Sequence, residues 1–177
     1  MNIPLARHPV RRLYGSAMQT SMGVIESAAL TQNKRLDDEG YSGRRVLGFK
    51  LPAWQRGLEW SEQQSIRFIE SIWTGVSIGS FMYNQSCGEF DLILLDGQQR
   101  LTAIEQYWSD EFPVPGEDGV GYFWSDLTDH EKAQFYRIPF PFYVTSYTTD
   151  EALRDAYDRH NFGGVAHRPE QRVSLTT

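Results

Sequence analysis

The stretch Leu94-Leu95-Asp96-Gly97-Gln98-Gln99-Arg100-Leu101-Thr102-Ala103-Ile104 limits the fold of this chain more than any other, because it runs an apolar strand through a polar turn into a helix. Phe90, Leu92, Ile93, Leu94 and Leu95 form an apolar run suited to a buried strand, and Gly97 permits a tight exit. Beyond it Leu101, Ile104 and Trp108 recur at helical spacing, which predicts a helix from about Gln98. Such a helix points its free N–H groups and the positive end of its dipole at whatever lies above the strand end, a ready phosphate site. Arg100 adds a forked, charge-assisted contact to the same anion, and Asp96 is placed to hold a metal ion, to accept a proton or to cap the helix. The same residues also read as an ordinary Asp-capped helix with Gly in its turn.

A chain of 177 residues supports one domain with a real core. Its net charge of −6 argues against a general coating of nucleic acid, although Arg7, Arg11 and Arg12 sit in a stretch without acids. The acidic region from Glu105 to Glu131 reads as solvated surface. Cys87 is the single cysteine, which excludes a disulfide framework and a thiolate metal cluster and fits a reducing cytoplasm. Neither a signal peptide nor a run near the roughly 20 apolar residues of a membrane span is present, so a cytoplasmic protein with no membrane partner is expected.

Taken in order, Met1 to Gly15 reads as an arm and Ser16 to Gln32 as a helix carrying Met18, Met22, Ile25 and Leu30. Asn33 to Arg45 reads as an exposed loop, and Val46 to Leu51 as a strand ended by Pro52. The loop Pro52-Ala53-Trp54-Gln55-Arg56-Gly57-Leu58-Glu59-Trp60 sets a Gln-Arg pair between tryptophans that should pack it down. Gln55 and Arg56 are then either a second clamp on an anionic ligand or surface residues beside a packed loop.

Ser61 with Gln64 predicts a capping box, Ile66, Ile69, Ile72 and Trp73 an apolar stripe, and Gly75 a helix stop. Ile78 to Asn84 and Phe90 to Leu95 form an antiparallel hairpin. Tyr122 to Trp124 starts a short strand, Thr128 with Glu131 caps a short helix, and Arg137 to Tyr147, holding Pro139 and Pro141, reads as an edge strand. Thr148 with Glu151 caps a last helix with Leu153, Ala156 and Tyr157 inside, ended by Gly163-Gly164. Arg159 and Asn161 lie where it unwinds, within reach of a cleft, although a basic residue answering the helix dipole explains Arg159 as well.

Three segments stand in a familiar order: Pro-x-x-Gln-Arg-x-x-x-Trp at Pro52 to Trp60, Leu-Asp-Gly-Gln-Gln-Arg-Leu-Thr at Leu95 to Thr102, and Tyr-x-Arg-x-Asn-x-Gly-Gly at Tyr157 to Gly164. Together they resemble the N-terminal domain of the GmrSD-type, modification-dependent restriction enzymes. The resemblance implies an α+β fold of the ParB and sulfiredoxin kind, a small mixed sheet flanked by helices, over residues 46–173. The arm and first helix precede it at 1–45, and a tail follows at 174–177.

The resemblance further implies binding and hydrolysis of a nucleoside triphosphate with Mg²⁺ in a DNA-directed restriction, phage-defence or phage-encoded system. Asp96, Gln98, Gln99 and Arg100 become the catalytic group. Gln55, Arg56, Gly97, Arg100, Arg159 and Asn161 become phosphate or nucleotide contacts, with Asp96 as the Mg²⁺ ligand. Alternatives are a ParB-like DNA nickase, a nucleotide-dependent kinase, and a non-catalytic module binding DNA or a partner such as a separate nuclease subunit. His8, His130, His160 and His167 form no metal-ligand set by spacing, and Gln98 stands where sulfiredoxin chemistry needs cysteine, which excludes that reductase activity.

Overall fold

The computed structural model describes residues 15–162. The expected arm as far as Tyr14, with Arg7, Arg11 and Arg12, the Gly163-Gly164 stop and the tail at 174–177 lie outside the described residues, as does the side chain of Asn161, and Gly15 of the expected arm opens the first strand.

The architecture is α+β, as the sequence implied. Strand β1 (Gly15–Ser21) leads into helix α1 (Met22–Asp38); β2 (Arg45–Val46) and β3 (Phe49–Lys50) follow, then α2 (Glu62–Trp73), β4 (Phe81–Asn84), β5 (Ile93–Asp96) and α3 (Gln98–Trp108). A separate ribbon of β6 (Val114–Pro115) and β7 (Gly121–Tyr122) precedes α4 (Asp129–Arg137), β8 (Pro139–Thr145) and α5 (Asp150–Phe162). The main sheet runs β1-β8-β4-β5-β3-β2 and is mixed: β8 with β4 and β3 with β5 are parallel, the other pairs antiparallel.

Both faces of this sheet are covered at β5, which explains why that strand is apolar without alternation. Leu94 packs with Phe81 and Phe140 under α1, α2, α3 and α4, while Leu95 and Met82 point the other way, under Leu153, Ala156 and Tyr157 of α5. Leu94 and Leu95 are both fully buried. No helix among the described residues is long and apolar enough to cross a membrane.

Several local expectations hold for the stated reasons. Ser61 and Gln64 make the capping box of α2, and Thr128 and Glu131 that of α4. Past α2, Gly75 takes φ 75°, and the N–H groups of Gly75 and Val76 return to Ile72 and Ser71, closing the helix in a Schellman arrangement.

Others are corrected. The helix expected at Ser16 begins only at Met22, because Ser21 caps it by accepting from the Val24 N–H at 3.4 Å and the preceding seven residues pair with β8. Met18 and Leu30 are therefore exposed, and the buried face is Met22, Ile25, Ala29 and Leu36. The loop expected from Asn33 is helical to Asp38. The strand expected at Val46 to Leu51 is a two-residue hairpin, with Leu47 at φ 45° and Gly48 at φ 79°. Glu105 holds that turn by accepting the Leu47 N–H at 2.9 Å. β8 lies inside the sheet and not at its edge; β4 reaches only Phe142 to Thr145, so Pro139 and Pro141 fall where β8 has β1 alone as neighbour. The cap of α5 is Thr149, whose Oγ1 accepts from Ala152 at 3.3 Å, one residue beyond the position expected.

Candidate functional site

β5 ends at Asp96, and the chain turns through Gly97 at φ 96° and ψ 9°, a left-handed conformation that glycine alone adopts freely. A Cβ at this position would also stand 2.6 Å from the Phe81 Cβ, so close packing demands the same residue. Gly97 is the N-cap of α3 and offers no side-chain acceptor. The first helical bond runs from Leu101 N–H to the Gly97 carbonyl at 2.9 Å, leaving the N–H groups of Gln98, Gln99 and Arg100 without acceptors inside the helix. Asp96 does not cap it, since no side chain makes a capping hydrogen bond at this helix start.

These groups open on a cleft of about 180 Å³. Its walls are the Asp96-to-Arg100 turn, Gln55, Arg56 and Trp60 of the Pro52-to-Trp60 loop, and Tyr157 of α5. The loop is packed down, as its tryptophans predict. Trp54 meets the Tyr157 ring edge-on at 4.9 Å and Trp60 meets Phe68 of α2 at 5.4 Å. Arg44, unnoticed in the sequence, ties the loop from beneath by donating to the carbonyls of Gln55 at 2.9 Å and Pro52 at 3.2 Å.

Gln99 completes this attachment. Its Oε1 accepts from the N–H groups of Glu59 at 3.1 Å and Trp60 at 3.2 Å, and its Nε2 donates to the Gly57 carbonyl at 3.0 Å. Its amide thus holds the loop against the start of α3. Gln55 and Gln98 differ from it: they are 6% and 5% exposed, and the Oε1 of each has no hydrogen-bond partner among the described residues.

Asp96 Oδ2 receives two side chains, Arg100 Nη2 at 2.5 Å and His160 Nε2 at 3.2 Å. Arg100 Nη2 also donates to the Ser80 carbonyl at 2.6 Å. Burial pushes the Asp96 carboxyl up, but the hydrogen bond from His160, the charges of Arg100 and His160 and the Gly97 N–H together hold it below its usual value. Asp96 is therefore ionised at neutral pH.

The tertiary structure sorts the expected site residues. It brings Gln55, Arg56, Asp96, Gly97, Gln98, Gln99 and Arg100 to one cleft. Arg56 stands at the rim, pairing with Glu59 at 3.1 Å. Arg159 is not among the residues around this cleft: it pairs with Asp155 at 2.8 Å and borders a different one. Sequence reasoning missed His160 and the place of Tyr157 in the wall. The available signal was helical spacing, since Leu153, Ala156, Tyr157 and His160 fall on one stripe.

A divalent metal has little protein to rest on. Among the described residues no three His, Cys, Asp or Glu side chains form a metal-holding group, and Asp96 is the one carboxylate among the residues lining this cleft. That is the usual protein share for Mg²⁺ bound through phosphates.

No curated protein and no solved structure matches the chain. The sequence model for the N-terminal domain of the GmrSD restriction endonuclease matches residues 34–139, more than half of the chain, and takes in both the Pro52-to-Trp60 loop and the Asp96 turn. The Tyr157-to-Gly164 segment falls beyond the match. With two walls of the cleft inside the matched region, the chain belongs to the GmrSD restriction endonuclease N-terminal domain family.

Proposed function

We propose that the cleft binds the phosphates of a nucleoside triphosphate and hydrolyses it slowly, as the regulatory part of a restriction or phage-defence system acting on DNA. The observation that carries this reading is the uncapped start of α3, opening on a small cleft where the buried Oε1 atoms of Gln55 and Gln98 are unmatched. The N–H groups of Gln98, Gln99 and Arg100 suit phosphate oxygens, which only accept. Amide oxygens also only accept, so Gln55 and Gln98 suit a water molecule, which brings donors.

The roles follow from these preferences. Arg100 and Arg56 offset charge on the phosphoryl group being transferred. Gln98 orients the attacking water, while Gln99, committed to the loop, keeps Gln55 and Arg56 in place. A Mg²⁺ ion shared by Asp96 and the phosphates would neutralise the repulsion between them. A net charge of −6 makes tight DNA binding depend on a partner, and a separate nuclease subunit fits that need.

A second reading has one specific support. Arg100 is engaged by Asp96 and Ser80, which suits a switch that binds nucleotide without turning it over. Phosphate release from the four ribonucleoside triphosphates with Mg²⁺, compared between wild type and Arg100→Ala, separates the two. Turnover lost in a folded variant supports hydrolysis. Thermal stabilisation by nucleotide without turnover, lost in the same variant, supports the switch. The absence of both turnover and stabilisation refutes the phosphate site.

A further inference from the structure

We propose that the base and sugar of the nucleotide sit in a second cleft, beyond the Asp96–His160 contact, lined by Met82, Tyr143, Tyr147, Ala156, Arg159 and His160. This rests on the nucleoside triphosphate reading and adds to it the seat of the nucleoside.

Size separates the two clefts. The first, at about 180 Å³, lies below the roughly 300–1,000 Å³ typical of small-molecule sites and takes only the phosphate end of a nucleotide. The second holds about 460 Å³, within that range. Residues of α5 line both: Tyr157 borders the first, Ala156 and His160 the second, and His160 reaches Asp96 of the first at 3.2 Å. In this seat a ligand with its phosphates at the start of α3 places its other end beside α5.

The chemistry of the second cleft suits a flat heterocycle with polar edges. Met82 and Ala156 offer apolar surface, and Tyr143, 44% exposed, presents a ring on which a base stacks. Tyr147 is held by its backbone, whose N–H and carbonyl both bond to the Asn84 side chain at 2.7 and 2.9 Å. Its ring is buried at 9% exposure, yet its hydroxyl has no partner among the described residues. A fixed tyrosine with an unmatched hydroxyl is a natural contact for a base edge or a sugar hydroxyl. Arg159, which does not line the first cleft, borders this one.

Isothermal titration of the full chain with ATP, GTP, CTP, UTP and inorganic tripolyphosphate, all with Mg²⁺, tests the assignment. The wild type should bind at least one nucleotide more tightly than tripolyphosphate. Tyr147→Phe should weaken that nucleotide about fivefold, the effect of removing one hydrogen bond, and Tyr143→Ala about tenfold, the effect of removing one stacking ring. Neither should change tripolyphosphate affinity or the ligand-free unfolding midpoint. Nucleotide and tripolyphosphate binding alike, with both variants silent, would overturn the nucleoside seat and leave the phosphate site standing. Equal weakening of both ligands in the variants would overturn it too, since the clefts would not act separately. No binding of either ligand to the wild type would remove the seat together with the phosphate reading beneath it.

Discussion

Buried carboxamides meet opposite fates in two regions of this molecule. Asn84, fully buried at the end of β4, uses its whole hydrogen-bonding capacity. Its Nδ2 donates to the carbonyls of Phe90 at 2.8 Å and Tyr147 at 2.9 Å, and its Oδ1 accepts from the Thr145 hydroxyl at 2.8 Å and the Tyr147 N–H at 2.7 Å. Gln55 and Gln98, almost as deeply buried, keep an unmatched oxygen each beside the cleft. A satisfied buried amide locks β4, the β4–β5 connection and the chain after β8 into one arrangement. An unsatisfied one carries a desolvation cost that folding leaves in place, and only a donor from outside relieves it. The difference separates scaffold from site more clearly than burial does.

The largest effect is expected from breaking the scaffold member. Asn84→Leu keeps the branched shape but strands four backbone and hydroxyl groups, and should lower the unfolding free energy by about 3–5 kcal/mol, read from urea denaturation. The site member should behave oppositely. Gln98→Met removes the unmatched oxygen at similar size and should leave stability within about 1 kcal/mol of wild type, while abolishing turnover of whichever nucleotide the wild type hydrolyses. A destabilisation as large as that of Asn84→Leu would erase the distinction.

The smallest effect concerns the ion pair beside these amides. The Asp96 carboxyl is held below its ordinary 3.8, so its pairing contributes stability above that value and loses it as pH falls through the folded one. His160→Ala removes the hydrogen bond that lowers it most, so the stability lost on acidification should be smaller and its loss complete at higher pH. Denaturation midpoints between about pH 2 and 5 would show this displacement, and superimposable profiles would remove His160 from the site.

Strand, turn and helix from Leu94 to Ile104 were legible because three local signals agree there: an apolar run, a glycine where the backbone needs positive φ, and helical spacing beyond it. The capping boxes at Ser61 and Thr128 were legible because they act within one helical turn. β1 was misread because Met18, Met22 and Ile25 approximate helical spacing, and only pairing with β8 extends the first of them. β8 was misplaced because its prolines describe half of the strand, while its partner β4 lies some sixty residues away in sequence.

The cleft divides in the same manner. By itself, the sequence determined which residue types could meet an anion and that a helix would start at them, since φ, capping and dipole are properties of neighbours along the chain. Tertiary structure alone decided that Gln99 holds a loop while Gln98 stays unmatched, that Arg159 borders a different cleft, and that His160 reaches Asp96. These outcomes depend on which distant segments supply donors and acceptors, and a side chain's partners across the fold leave no trace in its own neighbourhood of the sequence.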